Sequence, residues 1–184
     1  MSINSMVVEA LRHGETTAGH CYLGVTDALL TPFGVSQMEE ALHGFSAKDY
    51  DCVITSPLRR CADFAQEWAG LSCPVAINPN FQEFNFGDWD GLTAKKIMAL
   101  WPGQLEQFWQ NPLVFTPPNG ETLSHFFERV GRGLQSMQAT ADRRVLLITH
   151  GGVIKAIHCI LHDKPASEMF AVEVKHASLH RLIG

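Results

Sequence analysis

The sequence lacks both a disulfide framework and a cluster of positive charge. Its five cysteines are dispersed, their number is odd and no C-x-x-C motif occurs, which fits reduced thiols better than paired ones. We therefore expect a cytoplasmic protein. No run of Lys and Arg is longer than two residues and the formal net charge is -5, so we expect no binding of nucleic acid through its phosphates. A few converging cations would still suffice for a small anionic ligand.

Long apolar runs and a nucleotide-binding loop are also absent. No stretch approaches the length of a membrane span and no basic leader precedes the first apolar run, so we expect neither a membrane partner nor export. No G-x-G-x-x-G motif follows the first apolar run, which argues against a dinucleotide-binding domain. With 184 residues, of which 46% are hydrophobic, the chain is long enough for one sizeable core, and we predict a single domain over residues 1–184.

Short apolar runs alternate with amphipathic segments along the chain, and this alternation predicts the fold class. We predict strands at residues 6–11, 51–56, 73–78 and 143–150, and two alternating strands that pair within 170–183. We predict helices at 30–45, 57–70, 121–138 and 151–161, and one or two short helices near 94–101. Thr31 caps the first of these helices and Pro32 stands in its first turn. The alternation implies a three-layer α/β/α sandwich around a mostly parallel sheet.

Two histidines follow predicted strands, each directly before a glycine. His13 lies in the sequence RHG and His150 in the sequence HGG. Because the carboxyl ends of parallel strands share one edge of the sheet, where α/β proteins bind ligands, we predict that the two histidines meet there. A lone histidine after an apolar strand is more often structural, but matching strand ends favour a functional role.

Arg12 directly precedes His13, and a third strand end adds Arg59 at the start of the following helix. Two arginines, two histidines and nearby helix N-termini form a receptor for a phosphoryl group, because the guanidinium fork matches phosphate and free N–H groups point outward at a helix start. A neutral imidazole is also a competent nucleophile. Attack on phosphorus then needs a proton for the leaving oxygen. Glu83, in an aromatic-rich segment where desolvation favours a protonated carboxyl, is the candidate acid, and a solvated loop carboxylate is the alternative.

Five motifs occur in order along most of the chain: LRHGET (11–16), TSPLRRC (55–61), QEFNFGDWDG (82–91), GETLSHFFERV (120–130) and THGGVIKAI (149–157). Together they resemble the histidine phosphatase superfamily, the phosphoglycerate-mutase-like phosphatases, and the resemblance implies the fold of that family. It implies that His13 is the phosphorylated nucleophile and that Glu83 is the proton donor. It also implies catalysis without a metal or another cofactor. The implied phosphate pocket comprises Arg12, Arg59, His150, Gly14 and Gly151.

The chain departs from the family pattern at Gly19, where many relatives carry asparagine six residues after the nucleophile. A pocket donor is therefore missing or is supplied by another group, for which Thr16 and Thr17 are the candidates. Within the superfamily, the segments YLGVTDALLTPFGVSQ and FNFGDWDGLT most resemble the alpha-ribazole phosphatases. That resemblance implies removal of the 5'-phosphate from alpha-ribazole 5'-phosphate during cobalamin nucleotide-loop assembly.

Residues 82–120 are rich in proline, glycine, asparagine and aromatics, and we predict that they form a lid-like insertion. Lys95 and Lys96 are the only basic residues of this segment, which favours a phosphomonoester substrate with a flat apolar base over a bisphosphate. We take Trp89 as the substrate-binding aromatic. The aromatics of the segment, which are Phe84, Phe86, Trp89, Trp101, Phe108, Trp109 and Phe115, can instead cover hydrophobic core.

Several alternatives remain open at this stage. A broad-specificity or sugar-phosphate phosphatase fits the same motifs, and a mutase or an inactive binding module on this fold fits them less well. His158 and His162, like His176 and His180, are four residues apart, but without a third ligand we predict no metal site. Glu121 and Arg129 can support the site or serve as surface or helix-cap residues. We expect a small phosphomonoester as the partner, and a homodimer is compatible with the sequence.

Overall fold

The computed structural model describes residues 6–138 and 143–184 of the chain, so the remainder of the predicted 1–184 domain lies outside the described residues. Five strands occur there: β1 (Val7–Arg12), β2 (Cys52–Thr55), β3 (Val75–Ile77), β4 (Arg144–Thr149) and β5 (Leu179–Ile183). The α-helices are α1 (Pro32–Ala41), α2 (Arg59–Ala69), α3 (Ala94–Leu100), α4 (Gln104–Gln110), α5 (Leu123–Gln138) and α6 (Gly151–Leu161).

The strands form one sheet in the order β3-β2-β4-β1-β5. The first four strands are parallel, and β5 pairs antiparallel with β1 at the edge. The register between β1 and β4 places Arg12 opposite Thr149, and the backbone N–H of His13 donates to the Thr149 carbonyl at 2.9 Å. The residues that follow the two strands therefore emerge level with each other at one edge of the sheet.

Helices cover both faces of the sheet, and for this reason successive side chains of the central strand β4 are buried although they point in opposite directions. Val145 and Leu147 pack into the core that contains α5 and α6, whereas Leu146 and Ile148 pack into the core beneath α1 and α2. All four side chains are fully buried, and each contributes about 1.5–3 kcal/mol of burial free energy. The predicted mostly parallel α/β/α architecture is confirmed.

The start of α1 follows the sequence prediction and brings the helix close to the end of β1. Thr31 caps α1 by accepting a hydrogen bond from the N–H of Gly34 at 2.9 Å, and Pro32 is its first residue. A Cβ atom on Gly14 would clash with the backbone of Gly34. Gly14 is therefore required where the chain leaves β1 and passes under α1.

The prediction of two paired strands within residues 170–183 is wrong. Residues 166–171 form a 3₁₀ helix, and β5 is the one strand that the described residues contribute after α6. Segment 172–178 runs past the end of β1, where the Val174 carbonyl accepts from Arg12 Nη1 at 2.7 Å. Alternating polarity does not make a strand here because, among the described residues, no strand pairs with the backbone of residues 172–176, and backbone contact with the end of β1 begins only at Ala177.

Residues 82–120 contain α3 and α4 and pack over the face that carries α5 and α6. Most of their aromatic side chains enter this core: Phe84, Trp89 and Phe108 are buried, and Phe115 stacks on Trp89 with ring centroids 5.8 Å apart. Trp109 stays exposed and donates a hydrogen bond to the hydroxyl of Tyr22. The segment is thus built around its own aromatic cluster.

Candidate active site

The ends of β1 and β4 bring His13 and His150 into contact. Their ring centroids are 5.2 Å apart, with the rings inclined at 64°. Both residues are buried, with 4% and 0% of their surface exposed. Two imidazoles separated by 137 positions in sequence therefore meet where the parallel strands end.

His13 is held as a neutral imidazole with one free nitrogen. Its Nδ1 lies 2.8 Å from the Gly14 carbonyl oxygen, which can only accept, so Nδ1 carries the proton and Nε2 keeps its lone pair. Burial lowers the pKa of His13 well below its ordinary value, with Arg60 and Arg12 lowering it further and the Gly14 hydrogen bond opposing them. The lone pair of Nε2 is therefore available at neutral pH.

His150 is fixed by partners on both ring nitrogens. Arg60 Nε donates to Nδ1 at 3.3 Å, and since a guanidinium cannot accept, the neutral ring carries its proton on Nε2. That nitrogen lies 2.7 Å from Ser56 Oγ, to which it donates. Burial lowers the pKa of His150 well below its ordinary value, and the charges of Arg60 and Arg12 act in the same direction. The ring cannot rotate without breaking these contacts.

The arginine that α2 supplies to the site is Arg60, which corrects the assignment of Arg59. Arg59 has 55% of its side chain exposed and pairs with Asp63 at 3.0 Å on the outer face of the helix. Arg60 is fully buried and donates to the carbonyls of Gly24 and Thr26 as well as to His150. Adjacent helical residues differ by about 100° in direction, so only one of two consecutive arginines can face the strand ends.

Arg12 extends from the end of β1 toward the N-terminus of α6. Its Nη1 is held by the Val174 carbonyl, while the buried Nε has no hydrogen-bond partner in the described protein. Burial lowers the pKa of Arg12 and the carboxylate of Glu83 raises it. A Cβ atom on Gly151 would lie 3.3 Å from Arg12 Nε. Gly151 thus leaves room for a guanidinium that still has a donor to offer a ligand.

Glu83 lies against the N-terminus of α6 and is 9% exposed. Its Oε1 accepts from the N–H of Phe84 at 2.9 Å, and its Oε2 accepts from the N–H of Gly152 at 3.0 Å. A Cβ atom on residue 152 would clash with this carboxyl group. Gly152, which the sequence analysis did not assign to the site, therefore provides both the space and a backbone N–H for the carboxyl group of Glu83.

These groups together can perform displacement at phosphorus. A buried neutral imidazole with a free nitrogen stands beside two guanidinium groups, a second imidazole and a carboxyl group, and this set matches a nucleophile, anion donors and an acid. The sequence profile of the histidine phosphatase superfamily (branch 1) matches residues 9–183. The chain belongs to the histidine phosphatase superfamily.

Known phosphatases are similar to this histidine phosphatase over most of its length. An adenosylcobalamin/alpha-ribazole phosphatase of Escherichia coli (strain K12) is 29% identical over 178 residues, which cover 89% of this chain and 83% of the relative. A glucosyl-3-phosphoglycerate phosphatase of Mycolicibacterium vanbaalenii is 31% identical over 166 residues, which cover 84% of this chain and 73% of the relative. The crystal structure of the alpha-ribazole phosphatase from Shigella flexneri superimposes with a TM-score of 0.83 at 27% identity, covering 95% of this chain and 88% of that one. This chain is a phosphomonoester hydrolase whose relatives act on different substrates.

Arg129 of this histidine phosphatase supports the loop that carries Glu83. Its guanidinium group donates to the carbonyls of Asn80, Gln82 and Glu83 at 2.6 to 3.0 Å. It also bonds both carboxylate oxygens of Glu121, the shorter contact being 2.6 Å. The structure therefore decides between the alternatives left open for Glu121 and Arg129, because the pair lies behind the site and is largely buried.

The predicted substrate-binding residues of this histidine phosphatase are only partly brought together. Thr16 is buried and lines the cavity in front of His13, and Gly19 lies at the same cavity with a φ of +67°. Thr17 is exposed and its hydroxyl donates to the Leu29 carbonyl. Trp89 is fully buried in the aromatic cluster, which corrects its assignment to the substrate site. Its indole ring is needed to fill the core under residues 82–120.

Two connected depressions lie at the site of this histidine phosphatase. The first has a volume of about 380 Å³ and is lined by Arg12, His13, Glu83 and His176, among others. The second, of about 280 Å³, shares Arg12 and Glu83 with the first and continues as an apolar cleft. Its aromatic walls comprise Tyr22, Phe84, Phe86, Phe108, Trp109 and Phe170.

Two cationic or titratable residues at these depressions were not found by sequence reasoning. Lys155 lines the cleft from α6, and the one available signal was its position one helical turn after Gly151. His176 lines the first cavity from the segment before β5. No local sequence pattern indicates this position. His180, four residues further along the chain, does not join His176 at the cavity and contacts the hydroxyl of Ser178.

Within residues 6–138 and 143–184, no group of three or more His, Cys, Asp or Glu side chains is arranged to hold a metal ion. His158 on α6 and His162, directly after this helix, have ring centroids 4.2 Å apart. In the same described residues, no helix combines the length and apolarity needed to cross a membrane.

Proposed function

We propose that this histidine phosphatase hydrolyses phosphomonoesters without a metal, through a phosphohistidine formed on His13. The state of the His13 ring carries the proposal. Its Nδ1 is engaged by the Gly14 carbonyl, burial and Arg60 disfavour its protonated form, and its Nε2 keeps a lone pair. Nε2 is therefore the atom that attacks phosphorus.

The reaction then proceeds in two displacements at phosphorus. In the first, Nε2 of His13 bonds to phosphorus, the bond to the ester oxygen breaks and the carboxyl proton of Glu83 passes to that oxygen. In the second, water loses a proton to the Glu83 carboxylate as it attacks phosphorus, and the P–N bond breaks to release inorganic phosphate. Without a metal ion, Arg12 and Arg60 stabilise the charge on the non-bridging oxygens in both steps, while His150 orients Arg60 by accepting a hydrogen bond from its Nε.

We further propose alpha-ribazole 5'-phosphate as the substrate, in cobalamin nucleotide-loop assembly. Support comes from the alpha-ribazole phosphatases among the relatives and from the apolar cleft beside the phosphate pocket. The half-buried rings of Tyr22 and Phe86 and the exposed ring of Trp109 offer flat surfaces to an aromatic base. Lys95 and Lys96 of the neighbouring segment are exposed and do not line the cleft.

A phosphate ester that carries a second anionic group is the second candidate, and Lys155 is the observation that favours it. The side chain is half-buried in the apolar cleft and has no ion pair with any described carboxylate. Burial lowers the pKa of Lys155 and the nearby charge of Arg12 lowers it further, whereas the carboxylate of Glu83 raises it. An anion bound beside Lys155 would offset burial and the charge of Arg12, and the glycerate carboxylate of glucosyl-3-phosphoglycerate is such an anion.

The two candidates are separated by assaying the purified protein and two lysine variants. The substrates are alpha-ribazole 5'-phosphate, glucosyl-3-phosphoglycerate and p-nitrophenyl phosphate. If a second anion is recognised, Lys155→Met lowers kcat/KM on glucosyl-3-phosphoglycerate by about 10–100-fold, the value of a hydrogen bond to a charged group, and spares the other two. The exposed Lys96→Met variant is the control. Comparable kcat/KM on all three substrates would contradict both candidates and support a broad-specificity phosphatase.

A further inference from the structure

His176 stands at the mouth of the phosphate cavity, opposite the proposed nucleophile. Its ring centroid is 5.7 Å from that of His13, and both rings line the same cavity with Arg12. The residue is exposed to solvent on this side, and within the described residues neither ring nitrogen has a hydrogen-bond partner. The two-step reaction outlined above leaves this imidazole without a role.

The backbone around His176 is tied directly to the strand that carries the nucleophile. The N–H of Ala177 donates to the carbonyl of His13 at 3.1 Å, and the Ser178 carbonyl accepts from the backbone N–H of Arg12 at 3.1 Å. Ala177 adopts a φ of +53°, which is unfavourable for a residue with a Cβ. Strained backbone of this kind persists where its surroundings over-determine it and is common at functional sites. The two backbone hydrogen bonds hold this strained segment, and with it His176, in register with His13.

Gly19, which lines the same cavity, has no side chain to offer a ligand. A Cβ atom built on Gly19 would meet nothing within 4 Å, so the position faces open space. The charged and titratable groups around His176 are Arg12, His13, His20 and Glu15. Burial, Arg12 and His20 lower the pKa of His176, whereas Glu15 raises it. The ring is therefore neutral at pH 7 and has one N–H to donate.

We propose that His176 is a further catalytic residue, whose ring N–H donates a hydrogen bond to a non-bridging oxygen of the transferring phosphoryl group in place of a side chain at Gly19. The inference rests on the proposed function. Such a donor acts on the phosphoryl group itself, so its contribution does not depend on the leaving group. A proton donor such as Glu83 differs, because its contribution grows with the basicity of the leaving oxygen.

The test compares His176→Phe, which keeps a ring but no donor, with His176→Asn and His176→Gln, which retain an amide N–H. We expect His176→Phe to lower kcat/KM by about 10²-fold, the usual scale for one oxyanion donor, equally on an alkyl phosphate and on p-nitrophenyl phosphate. At least one amide variant should recover most of the loss. His180→Phe, four residues away on β5, controls for general damage to this edge of the sheet.

A second variant examines the position that His176 is proposed to replace. Asparagine tolerates positive φ, so Gly19→Asn in the His176→Phe background should restore a donor and recover about tenfold or more of the lost activity. Loss restricted to the alkyl phosphate would overturn the proposal in favour of an acid role. A His176→Phe loss no larger than that of His180→Phe would overturn it in favour of a structural role.

Affinity for inorganic phosphate and orthovanadate, measured by calorimetry, separates this inference from the proposed function. If the wild-type protein binds both anions but turns over no phosphomonoester, the proposed function fails while the role of His176 as an anion donor is still decided. His176→Phe should then weaken binding of both anions by about tenfold or more. Unchanged affinity in this variant would overturn the donor role whatever the activity.

Discussion

Replacement of Arg129 by methionine should damage both stability and the acid step. Methionine keeps the apolar stem that packs near Phe126, over whose ring the guanidinium lies at 4.7 Å. It removes all five hydrogen bonds that the guanidinium makes to Glu121 and to the loop carbonyls. Glu121 keeps its charge and, among the described residues, retains as partners only the backbone N–H of Asn85 and the ring of His125.

The expected loss of stability follows from the burial of the Glu121–Arg129 pair. Only 12% of the Arg129 side chain and 10% of the Glu121 side chain are exposed. Removal of one partner from a buried pair costs about 3–5 kcal/mol, because the remaining charge stays desolvated. At about 2–4 °C per kcal/mol for a chain of this size, Tm should fall by about 6–20 °C.

Arg59→Met is the control for this stability loss. Arg59 pairs with Asp63 at 3.0 Å, and 55% of each side chain is exposed, so removal of the arginine leaves a carboxylate that is already exposed to water. The loss expected there is about 1 kcal/mol or less. Urea denaturation of both variants at pH 7 measures the difference. An Arg129→Met protein no less stable than Arg59→Met would refute the energetic account of the Glu121–Arg129 pair.

The catalytic consequence of Arg129→Met should depend on the leaving group. Arg129 Nη2 holds the carbonyl of Glu83 at 2.9 Å, so its removal loosens the residue proposed to protonate the leaving oxygen. We expect kcat on an alkyl phosphate to fall by about tenfold or more, with a smaller loss on p-nitrophenyl phosphate. In a Glu83→Gln background this difference should vanish, since the acid is already absent. Equal losses on both substrates would show that loss of the Glu121–Arg129 pair disturbs the active site as a whole and not the acid step.

Further predictions concern the groups that perform the chemistry. Activity should survive treatment with EDTA, since arginines rather than a metal stabilise the charge; loss that added zinc or magnesium restores would disprove this. His13→Ala should abolish turnover and remove an acid-labile, base-stable phosphate label from quenched protein, and near-normal turnover in this variant would exclude His13 as the nucleophile. Arg60→Met should lower kcat/KM by about 10²-fold, whereas Arg59→Met, on the exposed face of α2, should change it less than twofold; the reverse order would restore the assignment of Arg59. Glu83→Gln should cost about 10²-fold on an alkyl phosphate and far less on p-nitrophenyl phosphate, because a phenolate needs little help from an acid, so equal losses would move the acid elsewhere.

Much of the framework was predictable because it depends on local pattern. The buried strand β4 reads as an uninterrupted apolar run, and α1 is marked by its Thr31 cap and by Pro32. The meeting of His13 and His150 follows from chain direction alone, since parallel strands end at the same edge. Of the five motifs that led to the superfamily, four lie at a strand end or at a helix start, whereas QEFNFGDWDG lies between β3 and α3.

The direction in which a side chain points from its helix or loop was less predictable. The motif TSPLRRC offers two arginines, and sequence reasoning took Arg59. The four-residue spacing from Arg59 to Asp63 was a signal for an exposed ion pair on the outer face of α2. Trp89 was taken for a substrate contact because its segment is aromatic, yet the buried cluster under residues 82–120 requires its ring.

The sequence by itself determined the alternation of strands and helices as far as α6, the parallel sheet and the two histidines at its edge. Only the tertiary structure decided that Arg60 faces the strand ends, that segment 172–178 passes the nucleophile instead of pairing as a strand, and that His176 lines the cavity. The physical reason is the range of the interactions. Periodicity and capping act between neighbours in sequence, whereas the direction of a side chain depends on which distant segment packs against its element.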